Sequence, residues 1–419
     1  MKTTREQSKF IISKKGANWI KSGYPWVYEG EILRSESATG GSLADPIPNG
    51  SLVDIMSESG TYLGTGLLSQ ESKIRIRLIS RNANDKFDRA FWKRRFAYAW
   101  AYRKQVMSPE DLKAVRLVFG ESDQLPGLTV DRFNDILVAQ CLSYGMEQRK
   151  DLLYPLLLEI LREDGQAIQG IYERNDDSLR DKEGLPQAKG WFDEGQDTSG
   201  SLSPVTQIVE NGLLYHVDVA NGQKTGFFLD QKLNRRRVAD LAKGMEVLDC
   251  CTHTGAFALN ALKGGAKHAT ALDISASAIA MAQENAALNG LENKLDFVTA
   301  NAFDFMEQAL ADQHRPWDFI VLDPPAFTKS RQRVGNAGNG YRRLNYLALR
   351  LLPRGGYLAT CTCSHFMPRD RFLQEVNQAA HGAGVRLKQI EYRQQSPDHP
   401  ILLDVPETAY LKFFLFQAV

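Results

Sequence analysis

Cysteine is scarce in this chain: five residues in 419, at positions 141, 250, 251, 361 and 363. An odd number without framework spacing argues against a structural disulfide scaffold and fits reduced thiols. Long apolar runs are missing as well. The best candidate for a membrane span, LLYPLLLEIL at 152–161, falls short of the roughly 18–20 residues that crossing a bilayer needs, and it carries Pro155 and Glu159. The opening residues MKTTREQSKF lack the apolar core of a signal peptide, so a cytoplasmic location is expected and a membrane partner is not. There is no internal repeat and no low-complexity tract, and neither sign of charge dominates, the net being +1. What remains is a globular composition, 43% hydrophobic and 24% charged, in a chain long enough for two or three domains.

The near-zero net charge hides an uneven spread. Residues 1–107 hold 18 Lys/Arg against 10 Asp/Glu, a surplus of +8, which leaves the other 312 residues at −7. A basic front end suggests an anionic partner, nucleic acid first, although a basic surface can also serve solubility alone. The first 80 residues read as short strands and turns. In KIRIRLIS at 73–80, Ile74, Ile76 and Leu78 alternate with Lys73, Arg75 and Arg77, which predicts a small β domain, a barrel with one basic face. From Asp88 the pattern changes to a helix over 89–105. Trp92, Phe96 and Trp100 recur every fourth residue, a core-facing stripe in preference to a base-stacking surface. Residues 115–195 mix strands with a helix near 147–162. After the polar stretch DEGQDTSGSLSP at 193–204, strands and helices alternate regularly from Met245, which predicts a parallel, doubly wound sheet. The expected organisation is a β-barrel over 1–82, an α+β central domain over 83–200 and an α/β Rossmann-like domain over 201–419.

Ligands on such sheets sit at the carboxyl ends of strands. The first strand end, VLDCCTHTGAF at 247–257, runs through Asp249 into a small-residue loop, and Gly255 opens a helix there. Such a loop lets backbone N–H groups approach a ligand, though it is also how a routine strand–helix turn looks. It lacks the GxGxxG pattern of a pyrophosphate site. Asp273, ending the next strand, suits a ribose or a helix cap, and Asn301 in VTANAFDF suits an adenine edge. The three in order describe a nucleoside pocket without phosphate binding, the form of S-adenosylmethionine (SAM), whose cationic groups favour carboxylates such as Asp249. The fourth strand end, FIVLDPPAFTKS at 319–330, fixes a stiff turn with two prolines and presents Asp323 to a flat heterocycle.

The next strand ends in CTCSH at 361–365. A zinc site is disfavoured, because the spacing is not Cys-x-x-Cys and Cys250 and Cys251 would point to opposite faces of a strand. A redox pair is disfavoured by the same spacing. Cys361 still lies within the strand and reads as a buried cysteine. Cys363 lies beyond the strand end, where a thiolate can reach a bound base. A thiolate adding to carbon 6 of cytosine makes carbon 5 nucleophilic enough to take a methyl group, a form of covalent catalysis. Asp323 then holds the cytosine edge, and His365 or the pair Asp398–His399 are candidates for the base that removes the carbon-5 proton, each also readable as structural.

These segments, with NGQKTGFFLDQ at 221–231 and the terminal DHPILLDVPETAYLK, resemble the SAM-dependent large-subunit ribosomal RNA cytosine-C5 methyltransferases. ESDQLPGLTVDRF (121–133) and YERND (172–176) look like that family's central domain, and GYPWVYEGEI (23–32) looks like its N-terminal PUA domain, an RNA-binding β-barrel. The resemblance covers essentially the whole chain in the family's order. It implies that Cys363 is the nucleophile and that Asp323 serves the target base. SAM would be held by Asp249, Cys251, Thr254 and Gly255 of the loop, by Asp273, Asn301 and Asp323, and by Gln231; no metal is implied. The implied partners are RNA, large-subunit ribosomal RNA first, and a second copy of the chain in a homodimer. Three departures stand out: Asn301 where Asp is common, Ala326 where many relatives carry Lys after DPP, and no cysteine in the DPPAF motif. Two rival readings are a methyltransferase acting on an exocyclic amine, weakened by the absence of an aromatic residue directly after the prolines, and a noncatalytic RNA-binding protein with a vestigial SAM fold.

Overall fold

The computed structural model describes residues 6–39, 41, 45–193, 202–327 and 334–419. Most of the polar stretch 193–204, and with it the boundary expected after residue 200, lies outside the described residues. So do part of the loop 40–50 and Thr328–Ser330 beyond the double proline. The chain falls into two compact units. One comprises Met1–Ile208, Val217–Phe227 and Pro397–Thr408; the other comprises Val209–His216, Phe228–Ser396 and Ala409–Val419. Among the described residues no helix is long and apolar enough to cross a membrane.

The first unit opens with β1 (Ser8–Ile12), α1 (Lys14–Lys21), β2 (Trp26–Tyr28), β3 (Ile32–Glu36), β4 (Leu52–Ser57), β5 (Tyr62–Leu68) and β6 (Ile74–Ser80). The six strands form one sheet in the order β2-β6-β5-β4-β1-β3. Its edge strands β2 and β3 are joined by a single 3-10 turn at Glu29–Glu31. The sheet must therefore curl until its edges nearly meet, as a small barrel does. Phe10, Ile12, Val27, Val53, Ile55 and Ile76 fill the inside.

The basic face expected on β6 is not what forms. Ile76 and Leu78 face the barrel core as the alternation predicts, but Ile79 joins a second core on the opposite side. Both faces of this strand are covered. Arg77 is accordingly buried and donates to Glu183 at 2.8 Å, while Arg75 pairs with Glu29. A buried guanidinium needs such a partner, because an unpaired charge away from water is costly.

That second core belongs to α2 (Arg89–Val106), β7 (Ala114–Phe119), β8 (Leu128–Phe133), β9 (Ile136–Cys141), α3 (Tyr144–Glu147), α4 (Lys150–Glu163), β10 (Gly170–Asn175) and β11 (Ala188–Trp191). The strands are ordered β11-β10-β9-β8-β7, with β9 and β10 parallel and the other pairs antiparallel. Asp88 caps α2 by accepting from Phe91 N–H at 2.9 Å. Trp92, Phe96 and Trp100 are all buried, so the aromatic stripe on α2 serves the core. A hairpin of β12 (Val205–Glu210) and β13 (Leu213–Asp218) follows.

The second unit carries α5 (Lys232–Leu241), β14 (Glu246–Cys250), α6 (Ala256–Lys263), β15 (His268–Asp273), α7 (Ala276–Leu288), β16 (Leu295–Thr299), α8 (Ala302–Ala311), β17 (Phe319–Leu322), α9 (Val334–Leu351), β18 (Tyr357–Thr362), α10 (Arg369–Ala383), β19 (Leu387–Arg393) and β20 (Lys412–Ala418). Its seven strands are ordered β16-β15-β14-β17-β18-β20-β19. The first five are parallel, as expected, but β20 enters antiparallel between β18 and β19. The sheet is therefore mixed, not wholly parallel. On one face Leu248, Leu272, Ile320, Leu358 and Phe414 pack with residues of α8, α9 and α10. The strand order reverses between β14 and β17, which opens a crevice at the carboxyl ends of these strands.

Candidate active site

Asp249 lies near the end of β14 and is fully buried. Its Oδ2 accepts from Thr252 Oγ1 at 2.5 Å and from the Ala258 N–H at 3.0 Å. The loop that follows bends through left-handed backbone at Cys251, His253 and Gly255, with φ of 61°, 52° and 81°. This brings the His253 N–H onto Asp273 Oδ2 at 2.9 Å and starts α6 directly after Gly255. Gly255 is needed there twice over: its φ favours glycine, and an added Cβ would stand 3.1 Å from that of Ala282. Asp273, at the end of β15, also accepts from Ser275 N–H at 2.9 Å, while Ser275 caps α7. Asn301 is the N-cap of α8: its Oδ1 accepts from the Phe303 N–H, so its oxygen is directed to the helix.

Burial pushes Asp249 up to about 7, and the neighbouring charges of Asp323 and Asp273 act in the same direction against its two hydrogen bonds. Burial likewise pushes the Cys251 thiol up to about 12, with Asp273, Asp323 and Asp249 adding to the rise. Burial also lowers His253, to about 4, and Phe228 meets its ring edge-to-face at 5.0 Å. Three carboxylates that feel one another stand beside a neutral thiol and a neutral imidazole, and the cation whose field reaches them, Arg235, is itself paired with Glu210. Here Asp249 Oδ1 and Thr254 Oγ1 are buried without a hydrogen-bond partner. Buried polar atoms are rarely left this way. A ligand bearing an ammonium and a sulfonium would satisfy both the orphaned atoms and the charge, so the residues present fit SAM.

The other half of the site is built on β17 and β18. The ladder pairs Leu322 with Thr360, so the next residues, Asp323 and Cys361, are neighbours. Cys361 Sγ lies 2.9 Å from Asp323 Oδ1 and 3.4 Å from Gln231 Nε2. Gln231 Oε1 in turn accepts from Asn234 Nδ2 at 2.7 Å. Burial raises Asp323, and the Cys361 contact opposes that rise. Cys361 is wholly buried, as its position within the strand predicts, and burial followed by the Asp323 charge keeps it a thiol. Cys363 is partly exposed, one residue past the end of β18. The five cysteines form no disulfide, and among the described residues no group of three or more His, Cys, Asp or Glu is arranged to hold a metal ion.

One charged residue near this centre escaped sequence reasoning. Lys412 opens β20 opposite Thr362 and is buried. Its Nζ donates to the carbonyl oxygens of Ser364 and Tyr410 at 3.0 and 3.1 Å. Burial lowers it to about 8, and the charge of Cys363 raises it. The signal was present in YLKFFLF: a lone cation at the head of an otherwise apolar strand. Asp398 and His399, by contrast, belong to the first unit. There His399 Nδ1 pairs with Asp398 Oδ1 at 3.0 Å, Asp398 Oδ2 accepts from the Arg116 N–H and Arg103 donates to the Asp398 carbonyl. They knit that unit together.

Known proteins share this architecture. A family described as S-adenosylmethionine-dependent methyltransferase matches residues 194–417, and one described as a PUA-like domain matches residues 10–81. Two proteins named ribosomal RNA large subunit methyltransferase I, from Klebsiella pneumoniae strain 342 and Yersinia pseudotuberculosis serotype O:1b, are 34% and 36% identical over 408 residues. They cover 97% of this chain and 97% and 98% of their own lengths. Among solved structures, a SAM-dependent methyltransferase from Streptococcus mutans superimposes with a TM-score of 0.78 at 22% identity, over 98% of this chain and 99% of that one. A methyltransferase structure complexed with SAH does so with a TM-score of 0.79 at 21% identity. Matched over more than half its length and sharing over a third of its residues with near full-length relatives, the chain belongs to the S-adenosylmethionine-dependent methyltransferase family, with SAM as its cofactor and a PUA-like domain at its front.

Proposed function

We propose that this protein methylates carbon 5 of a cytosine in large-subunit ribosomal RNA, in the cytoplasm, through a covalent adduct on Cys363. The observation that carries the reading is the position of Cys363: partly exposed and one residue past the end of β18, which pairs with β17, the strand whose last residue, Leu322, leads into Asp323. The names of the relatives support RNA of the large subunit as substrate. A three-part organisation, with barrel over 1–82, central domain over 83–200 and methyltransferase domain over 201–419, goes with it.

The cofactor supplies an electrophilic methyl group on a sulfonium. Asp249, Cys251, Thr254, Gly255, Asp273 and Asn301 hold it at the loop end, and Gln231 and Asp323 close the other side. Lys412 favours the thiolate of Cys363 by its charge. That thiolate forms a bond to carbon 6 of the cytosine, the carbon 5–carbon 6 π electrons become available at carbon 5, and carbon 5 would take the methyl group as the methyl–sulfur bond breaks and its electron pair stays on the sulfur, leaving a neutral thioether. Asp323 accepts from the exocyclic amine and stabilises protonated ring nitrogen 3 in the adduct. His365 is the candidate base in this unit: it takes the carbon-5 proton, the electron pair re-forms the ring double bond, and the carbon 6–sulfur bond breaks to return the thiolate.

The test is methyl transfer from labelled SAM to protein-free ribosomal RNA, with the product nucleoside identified. Wild type should yield 5-methylcytosine, and Cys363→Ala should lose at least about a thousandfold in rate, as removal of an essential nucleophile does, while still binding SAM. An active alanine variant, or label on a base nitrogen, would instead make this an amine methyltransferase.

A further inference from the structure

The covalent mechanism uses one cysteine of the pair and leaves the other without a role. Residues two apart on a strand share a face, so Cys361 points to the side that Cys363 would follow. Thr362, between them, turns to the other face and meets Tyr341 OH at 2.7 Å. On its own face Cys361 stands between two polar groups. Gln231 Nε2 donates to its sulfur at 3.4 Å, and its S–H has Asp323 Oδ1 at 2.9 Å and the Leu322 carbonyl at 3.6 Å. The nearer acceptor is the carboxylate. Upstream, Asn234 fixes the Gln231 amide at 2.7 Å, and Gln231, Asn234 and Cys361 are all buried. A residue chosen only to fill space at this position would neither donate to Asp323 nor accept from Gln231.

We propose that Cys361 is a positioning residue: it donates to Asp323 and, with Gln231 and Asn234 behind it, holds that carboxylate in the orientation the target base requires. The inference rests on the role proposed above for Asp323. Burial keeps the proton on Cys361, so the thiol stands as a donor toward Asp323. Asp230 and Arg235 act on Asp323 by their charges and Gln231 by a hydrogen bond, while Asp249 and Cys251 feel the Asp323 charge in turn; none of these residues is replaced by a change at 361.

The experiment compares Cys361→Ala and Cys361→Ser in the full-length protein, reading kcat against pH with ribosomal RNA and, separately, SAM affinity at equilibrium. The alanine variant should still bind SAM, whose contacts at the β14–α6 loop are untouched, but lose about tenfold in kcat, the effect of one buried charge-assisted hydrogen bond. Its acidic limb should also move to higher pH, because Asp323 loses a donor to its charged form. The serine variant keeps an O–H donor and should recover both rate and limb. Wild-type rate and limb in the alanine variant overturn the inference, and so does loss of SAM binding in both variants, which would make the thiol a packing group. A Cys363→Ala control separates the two levels. If that variant stays active the covalent reading fails, while Cys361 is still judged by its own rate and limb.

Discussion

Asp249 is buried at a strand end beside two further carboxylates, and that placement costs free energy whenever all three are ionised. Its folded pKa of about 7 lies above the ordinary 3.8, so its contribution to stability is fully present below the unfolded value and is lost as pH rises through about 7. The cofactor-free protein should therefore unfold at progressively lower temperature as pH rises from about 4 to about 7, with no further loss from this group above that. Asp249→Asn, which cannot ionise, should lack that decline. A cation bound against Asp249 favours its charged form, so the stabilisation added by SAM should grow over the same interval. Differential scanning fluorimetry with and without SAM decides it. Equal pH dependence in wild type and Asp249→Asn would show that the carboxylate is not what the cofactor relieves.

At the scale of elements, the turn between β14 and α6 makes a separable claim. Gly255→Ala must force a side chain into left-handed backbone and bring a Cβ within 3.1 Å of Ala282, whereas Gly290, with φ of 65°, has open space around it. Both substitutions carry the backbone penalty of roughly 1–2 kcal/mol. Only Gly255→Ala should add a packing cost and weaken SAM binding, readable as a larger fall in denaturant midpoint at equal m-value together with a higher Kd. The loop, Asp249, Asp273 and the strands and helices around them were legible in the sequence, because apolar runs separated by amphipathic helices have few alternatives to a wound sheet. The antiparallel entry of β20 was not, since strand order depends on pairings between residues far apart in the chain, such as Thr362 with Lys412. For the same reason Lys412 went unnoticed: its relevance comes from the strand it faces. The place of Cys363 past the end of an apolar strand was legible, but the Cys361 contact to Asp323 needed the register of β17 against β18. The capping of α8 by Asn301 was not legible, because the same residue type suits a helix cap and an adenine edge alike.

At the scale of the whole molecule, the surplus of +8 in residues 1–107 is not all available to a partner. Arg75 and Arg77 pair with Glu29 and Glu183, Arg89 with Glu159, and Lys93 with Glu159 and Glu163. Arg103, wholly buried, pairs with Asp123. Lys14, Lys21, Lys73 and Lys86 are exposed, and exposed cations are the ones that can displace counterions from RNA. The two classes should separate on mutation. Replacing Lys14, Lys21 and Lys73 together by glutamine should leave the unfolding midpoint nearly unchanged and weaken RNA binding. The slope of log affinity against log salt should become shallower by about 0.7 for each phosphate that the variant no longer neutralises. Arg77→Ala should do the reverse. It strands the buried Glu183 and should cost about 3–5 kcal/mol of stability, with the salt slope unchanged in whatever fraction remains folded. Salt titrations of RNA binding alongside chemical denaturation would resolve the two effects. If Arg77→Ala changed the slope and the triple lysine variant did not, the charge that meets RNA would be the paired set, and the basic front end would be a binding surface of a different kind.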